Sequence, residues 1–166
     1  MLASRIELIQ QMPIFGAIGA EAIQFLLEPA PVIRVRRGDF FFRENDEATC
    51  MFVLESGHVT VTKNWQSHEL FIRRLGPGDC FGEMALLDLF PRSATVRADD
   101  DCSAIELTSA NLYRLFEHDV EQFALIQMNI AREMSRRLRV TDERLFRARM
   151  GEALEAPQRV SPTDWS

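Results

Sequence analysis

Short strand-forming segments between Pro31 and Leu107 are the feature that most constrains the fold of this 166-residue chain. Each segment spans a few residues and ends near Gly, Pro, Asn or Asp, which is typical of a jelly roll or short barrel. The glycines that separate the segments include Gly38, Gly57, Gly76 and Gly78. Helical patterns at 4–12 and 20–27 precede this region, and another begins at Ser109. The sequence therefore predicts an α+β fold, in which a β-jelly roll or barrel has N-terminal helices and a long C-terminal helix.

One hairpin is visible in the residue pattern. Residues alternate between apolar and polar types from His58 to Thr62, which predicts a strand with Val59 and Val61 facing inward. The polar segment 64–68 that follows predicts the tip of the hairpin.

The C-terminal helix is predicted to run from Val120 to about Met150, because no Gly or Pro interrupts this stretch. Its length would be about 45 Å, which exceeds what a small barrel can cover. Asp119 and Gln122 have the spacing of a capping box at its start. The residues near coiled-coil spacing are Ile130, Met134, Thr141, Leu145 and Ala148, and Arg137 interrupts them. This pattern favours a homodimer contact through the helix. A helix that only covers its own domain is the alternative.

The chain divides into three predicted regions. Residues 1–118 form the N-terminal helices and the barrel, and residues 119–150 form the dimerisation helix. Residues 151–166 are polar and contain Gly151 and Pro157, which predicts a flexible tail.

Composition indicates a packed cytoplasmic protein. No stretch approaches the roughly 20 apolar residues that a membrane span requires, and the N-terminus lacks the apolar centre of a signal peptide. Cys50, Cys80 and Cys102 are odd in number and widely separated, which favours reduced thiols buried in strands.

Charge is spread unevenly along the chain. The net charge is −6, whereas residues 132–149 contain seven arginines and three acidic residues. Such a basic helix usually presents a solvated face that pairs with acidic neighbours. The alternative is contact with nucleic acid, but the acidic body argues against direct binding.

No catalytic or metal-binding pattern is present. The sequence lacks a Walker loop, a GxSxG elbow and an HExxH motif. His58, His68 and His118 have no acidic or cysteine partners at metal-ligand spacing. We therefore expect neither enzyme activity nor a metal site.

The segment from Phe81 to Val96 is the strongest candidate for a chemical site. Gly82 allows the backbone to approach a ligand closely, and a short helix with free N-terminal amides is expected to start near Glu83. Arg92 can donate two hydrogen bonds to a phosphate, with the Ser93 hydroxyl beside it. Glu83 can accept from a sugar hydroxyl and can also hold Arg92 in position. A cyclic nucleotide meets these demands, because it carries one negative charge and one free ribose hydroxyl. A surface salt bridge between Glu83 and Arg92 is the alternative.

The run FGEMALLDLFPRSATV resembles the phosphate-binding cassette of cyclic nucleotide-binding domains, as in the catabolite activator protein family and protein kinase A regulatory subunits. Segments 37–39, 54–57 and 75–79 resemble the sequences that flank this cassette in the family. The resemblance implies a jelly roll of the cyclic nucleotide-binding type and a cyclic nucleotide partner. It implies that Glu83 holds the ribose hydroxyl and that Arg92, with the backbone near Ser93 and Ala94, holds the phosphate. The predicted ligand-binding residues of the cassette are Phe81, Gly82, Glu83, Met84, Ala85, Arg92, Ser93 and Ala94.

A second resemblance lies in the C-terminal helix. Residues 136–143 resemble the dimer helix of the catabolite activator protein family, in which a threonine at the position of Thr141 reads the purine. Asp142 departs from the serine that follows in the family. It leaves the choice of purine open, since a carboxylate can accept hydrogen bonds from adenine or from guanine. Thr141 favours cAMP over cGMP.

The predicted function is that of a dimeric cyclic nucleotide sensor whose ligand shifts the C-terminal helix. A separate effector protein would read the position of the helix. Only sixteen residues follow Met150, so no helix-turn-helix domain is expected after it. The alternatives are a ligand-free dimerisation module and a transcription-linked regulator without its own DNA-binding domain.

Overall fold

The computed structural model describes residues 6–7 and 9–151, apart from the side chain of Ala85. Of the predicted helix at 4–12, residues 6–7 and 9–10 are helical. The predicted tail lies outside the described residues, except for Gly151.

Within the described residues, eight strands form two four-stranded sheets with antiparallel pairing throughout. The strands are β1 (Val32–Val35), β2 (Phe40–Phe42), β3 (Cys50–Ser56), β4 (Val59–Trp65), β5 (His68–Leu75), β6 (Cys80–Phe81), β7 (Thr95–Ala98) and β8 (Cys102–Thr108). The first sheet has the order β1-β8-β3-β6 and the second has the order β2-β7-β4-β5. Apart from the β4–β5 hairpin, consecutive strands thus alternate between the two sheets, as in a jelly roll, and the predicted fold class is confirmed.

Helices precede the sheets, interrupt them once and follow them. They are a 3₁₀ turn (Pro13–Phe15), α1 (Ala20–Leu27), α2 (Met84–Asp88), α3 (Ser109–His118) and α4 (Val120–Arg149). The predicted extents of α1 and α4 and the predicted start of α3 agree with these bounds to within one residue.

The hydrophobic core has two parts, because β3 and β8 are covered on both faces. Phe52 and Leu54 face the interior between the sheets, whereas Met51 and Val53 pack against the helices. This division follows from the two-residue period of a strand. Both faces of β3 are therefore buried, and the first sheet connects the barrel to the helical layer.

Strand β4 differs from the prediction in one respect. Val59 and Val61 are buried as expected, but Thr60 and Thr62 are buried too. Their hydroxyl groups donate to carboxylates, that of Thr60 to Asp99 at 2.8 Å and that of Thr62 to Glu69 at 2.6 Å, which offsets the cost of burying them. The turn that follows β4 is the predicted hairpin tip. Both of its central residues have positive φ, which matches the twist of the flanking strands.

The first half of α4 is tied to the N-terminal segment. The side-chain amide of Asn129 donates to the carbonyls of Ile14 and Gly16, at 3.1 and 2.8 Å. Ile130 lies in the core of its own chain and is not free for the predicted seam. In the second half of α4, Leu138 and Leu145 are exposed.

The predicted capping box at the start of α4 is only half formed. The Asp119 side chain accepts from the backbone of Gln122, but the Gln122 side chain accepts from the backbone of Gly19 at 2.7 Å. A tertiary contact therefore replaces the reciprocal hydrogen bond. A complete box occurs instead at α3, between Thr108 and Asn111.

Candidate functional site

The cassette wraps around a cavity of about 270 Å³ between the barrel and α4. Strand β6 leads into Gly82 at φ +77°, and Glu83 is the residue before α2. The helix ends at Leu89 in the left-handed conformation, and the chain returns through Arg92 into β7. These turns bring Glu83 and Arg92 to the same cavity.

Arg92 is a buried cation without an ion-pair partner in the described part of the chain. It is 5% exposed, and its guanidinium lies 4.0 Å from the centre of the Phe42 ring. One terminal nitrogen donates to the Gly82 carbonyl at 3.2 Å, and the other donates to the Cys50 sulfur at 3.4 Å. The Nε atom is buried and has no hydrogen-bond partner. An anion in the cavity would compensate the buried charge.

Glu83 is equally buried, at 6% exposure, but its partner is not the predicted one. Its Oε1 atom accepts from Nη1 of Arg137 at 2.6 Å. Glu83 therefore does not hold Arg92 in position, because it pairs with Arg137 of α4 instead. The other oxygen, Oε2, accepts no hydrogen bond from the described residues.

Arg137 connects the cassette to α4 and was missed as a site residue in the sequence. Besides Glu83, it donates to the Cys80 carbonyl at 2.7 Å and to Glu133 at 3.0 Å. Glu133 also binds Arg136, and this hydrogen bond is the largest cause that lowers the pKa of the Glu133 carboxyl. The only signal in the sequence was that Arg137 interrupts an apolar pattern. A cation at a buried position usually has a buried acidic partner.

The remaining predicted cassette residues lie around the same cavity. Met84, Ser93 and Ala94 line it, and Lys63 donates to the Ser93 carbonyl at 3.0 Å. Phe81 lines it too, and its ring packs against Phe52 with ring centres 5.4 Å apart. Ala85 belongs to α2, and its side chain is not described.

The predicted purine-reading residues lie farther away. Thr141 lines an adjoining groove of about 260 Å³ between β5 and α4, and its hydroxyl donates to the Arg137 carbonyl at 3.0 Å. Asp142 is exposed and lines neither the cavity nor the groove. Arg73, which the sequence reading did not single out, lines both.

The three cysteines are buried and free, as the sequence predicts. Burial raises the pKa of the Cys80 thiol to about 12, and it raises the pKa of the Cys102 thiol to about 11. Both groups are therefore neutral thiols at physiological pH, and nucleophilic chemistry at either one is disfavoured.

Within 6–7 and 9–151, no three His, Cys, Asp or Glu residues are grouped so that they could hold a metal ion. Across the same described residues, no helix combines the length and the apolar character needed to cross a bilayer.

The fold and the cavity together define a class of protein. A jelly roll that buries an uncompensated arginine and a carboxylate beside one cavity is suited to receive a small anionic ligand that also carries a hydroxyl group. The cyclic nucleotide-binding domain family matches residues 32–119, which is more than half of the chain. The chain therefore belongs to the cyclic nucleotide-binding domain family, as its cassette predicts.

Individual relatives support this assignment. The cyclic AMP receptor protein of Thermus thermophilus is 29% identical over 135 residues, which cover 78% of this chain and 59% of the receptor. The crystal structure of the Thermus thermophilus catabolite activator protein has a TM-score of 0.72 at 28% identity, covering 80% of this chain and 61% of that chain. A cyclic nucleotide-binding domain from Methylobacillus flagellatus has a TM-score of 0.78 at 21% identity, covering 92% and 84% respectively, and shows the shared fold. This chain spans between 9% and 59% of the length of several curated relatives.

Replacing Gly82 by Ala is expected to displace Arg92 and weaken ligand binding. An added Cβ would lie 2.5 Å from the Arg92 guanidinium, and the backbone φ of +77° is unfavourable for alanine. We expect the free energy of unfolding to fall by at least about 1 kcal/mol. Chemical denaturation and ligand titration would measure the two effects. Gly76→Ala is the control, since Gly76 has no positive φ and a Cβ there would meet only the His58 side chain. Equal decreases in unfolding free energy and in ligand affinity in both variants would contradict the prediction.

Proposed function

We propose that this chain is a regulatory sensor that binds a cyclic nucleotide in the cavity beside Arg92. The observation that carries the proposal is the buried Arg92 guanidinium, which has no ion-pair partner among the described residues and lines a cavity of suitable size. A cyclic phosphate would supply one negative charge there, with acceptors for the Nε atom and its neighbours.

Glu83 would couple the ligand to the C-terminal helix. Its Oε1 atom holds Arg137 of α4, and its Oε2 atom is available to accept from the ribose 2′-hydroxyl. A ligand whose hydroxyl group donates a hydrogen bond to Glu83 would change the strength of the Glu83–Arg137 contact. The position of α4 would shift as a result. The shift is limited by the difference in ligand affinity between the two helix positions.

The sensor would act as a cytoplasmic homodimer. The second half of α4 exposes Leu138 and Leu145, which are one heptad apart and suit a contact between two copies of the helix. A separate effector protein would read the helix position, and no catalytic step is required of this chain. We assign residues 119–150 to dimerisation.

cAMP is the first ligand to test. Thr141 favours adenine by its resemblance to the purine-reading threonine of the family, and a Thermus relative is named a cyclic AMP receptor protein. Thr141 lines the adjoining groove, so its contact with a purine in the first cavity would require α4 to move toward the barrel. Calorimetric titration with cAMP and cGMP tests the proposal, and it fails if neither nucleotide binds at millimolar concentration.

A ligand-free interaction module is the second candidate. The observation that favours it is the Glu83–Arg137 ion pair, because a residue of the chain already occupies one oxygen of the ribose-binding carboxylate. Such a module would give no heat with either nucleotide and would still dimerise. Sedimentation measured with and without cAMP separates the two candidates, since only the sensor changes shape or association when cAMP is added.

A further inference from the structure

We propose that the groove between β5 and α4 is a second phosphate subsite, so that the tightest ligand of this chain is a cyclic dinucleotide. The inference rests on the proposed nucleotide site in the first cavity and names a larger ligand for it. Cyclic mononucleotides would then occupy the first cavity alone.

The groove carries more positive charge than the acidic residues around it neutralise. Five arginines line it, together with one carboxylate, that of Asp79. The arginines are Arg73, Arg74, Arg136, Arg137 and Arg144. Arg74 pairs with Asp99 at 2.7 Å, and the two adjacent α4 arginines pair with Glu133 and Glu83.

The side chains of the other two arginines, Arg73 and Arg144, form no hydrogen bond or ion pair with the described residues, and they approach the groove from opposite walls. Arg73 belongs to β5 and is half-buried, whereas Arg144 belongs to α4. Burial is the main cause that lowers the pKa of Arg73, followed by the charges of Arg137 and Arg144, and the acids Glu83 and Glu133 only partly offset these effects. Cations on facing walls repel each other, so an anion between them is strongly favoured.

The groove repeats the chemical character of the first cavity. The first cavity combines an unneutralised arginine, Arg92, with the carboxylate of Glu83, in a volume of about 270 Å³. The groove combines Arg73 and Arg144 with the carboxylate of Asp79, in a volume of about 260 Å³. One oxygen of Asp79 accepts from the Gly76 backbone, and the other accepts no hydrogen bond from the described residues.

The two spaces are also continuous. Ile72, Arg73, Leu75 and Arg137 line both of them. A ligand that fills both must have two similar halves, each with a negative charge and a hydroxyl group. A 3′,5′-linked cyclic dinucleotide has this composition, because each half carries one phosphate and one free 2′-hydroxyl. A purine edge in the groove would supply only dipoles and would leave the charge of Arg73 and Arg144 uncompensated.

Calorimetric titration of the whole chain tests the subsite. The ligands are cyclic di-GMP, cyclic di-AMP, cAMP and cGMP, each at low and at moderate salt. We expect at least one dinucleotide to bind about tenfold tighter than either mononucleotide, with a steeper loss of affinity as salt rises.

Charge-removing variants locate the contact. Arg73→Gln is expected to weaken dinucleotide binding about tenfold. Arg144→Gln is expected to weaken dinucleotide binding about threefold and to leave mononucleotide binding within about twofold, because Arg144 lines the groove and not the first cavity. Arg139→Gln is the matched control, since Arg139 is an exposed α4 arginine that lines neither space. Arg144 is exposed, so its variant tests the subsite even if Arg73→Gln does not fold.

Each other outcome overturns a defined part of the proposal. If mononucleotides bind and dinucleotides bind no tighter, the subsite is absent and the sensor function stands. If Arg73→Gln weakens cAMP or cGMP as much as the dinucleotide, Arg73 contacts the first nucleotide and not a second phosphate. If inorganic phosphate alone stabilises the wild type in an Arg73-dependent way and dinucleotides do not, a free anion is the occupant. If no nucleotide binds, the sensor function itself fails.

Discussion

Replacing Arg92 by Ala is expected to weaken cyclic nucleotide binding by about 2–5 kcal/mol, which corresponds to roughly thirtyfold to several thousandfold in the dissociation constant. The reason is that Arg92 is buried, lacks an ion pair within the described residues and would be the main cation facing the desolvated phosphate. Without it, the phosphate would lose its water and would not gain the buried cation that compensates its charge. Isothermal titration with cAMP and cGMP would measure the change.

The same substitution is expected to change folding stability much less than ligand affinity. Without ligand, Arg92 has no ion pair to lose among the described residues, and replacing a buried charge with an apolar side chain is often neutral or stabilising. Arg92→Met would keep the packing over Phe42 and separates loss of charge from loss of volume. Arg43→Ala is the matched control, because Arg43 also stacks on a phenylalanine ring, at 4.2 Å from Phe40, but lies outside the cavity. An Arg92→Ala dissociation constant equal to that of the Arg43 control would refute the assignment.

Replacing Arg137 by Ala is expected to lower the free energy of unfolding by about 3 kcal/mol. The substitution leaves the Glu83 carboxylate buried without a cation, and it removes the hydrogen bond to the Cys80 carbonyl. It also removes one of the two arginines that neutralise Glu133. Urea denaturation would measure the change, since the midpoint should fall while the slope stays constant.

The neighbouring arginine provides the control for Arg137. Arg136 binds the same Glu133, but its side chain is 66% exposed, compared with 13% for Arg137. Arg136→Ala should therefore cost no more than about 1 kcal/mol. Hydrogen exchange should also rise along α4 in the Arg137 variant and stay near wild type in the Arg136 variant. Similar decreases in the free energy of unfolding in both variants would show that Arg137 is not needed to neutralise the charge of Glu83.

Much of the fold could be predicted from sequence because the relevant signals are local. The glycines and the two-residue alternation set the strands, and the absence of Gly and Pro set the length of α4. The predicted half of the Asp119 cap is present, because it involves residues three positions apart. The other half is absent, because Gln122 binds Gly19 from a distant part of the chain.

The candidate site shows the same division between features set by local sequence and contacts made by distant parts of the chain. Residues 81–96 contain the buried cation, the buried carboxylate and the flexible glycine, so the sequence by itself predicted the segment that supplies most of the residues lining the cavity. Only the tertiary structure decided that Glu83 pairs with Arg137, 54 positions away, and not with Arg92. It also placed Arg73 at the wall shared by the two spaces. The physical reason is that spacing along a chain sets contacts within a turn or a helix, whereas contacts between a barrel and a distant helix depend on how the core packs.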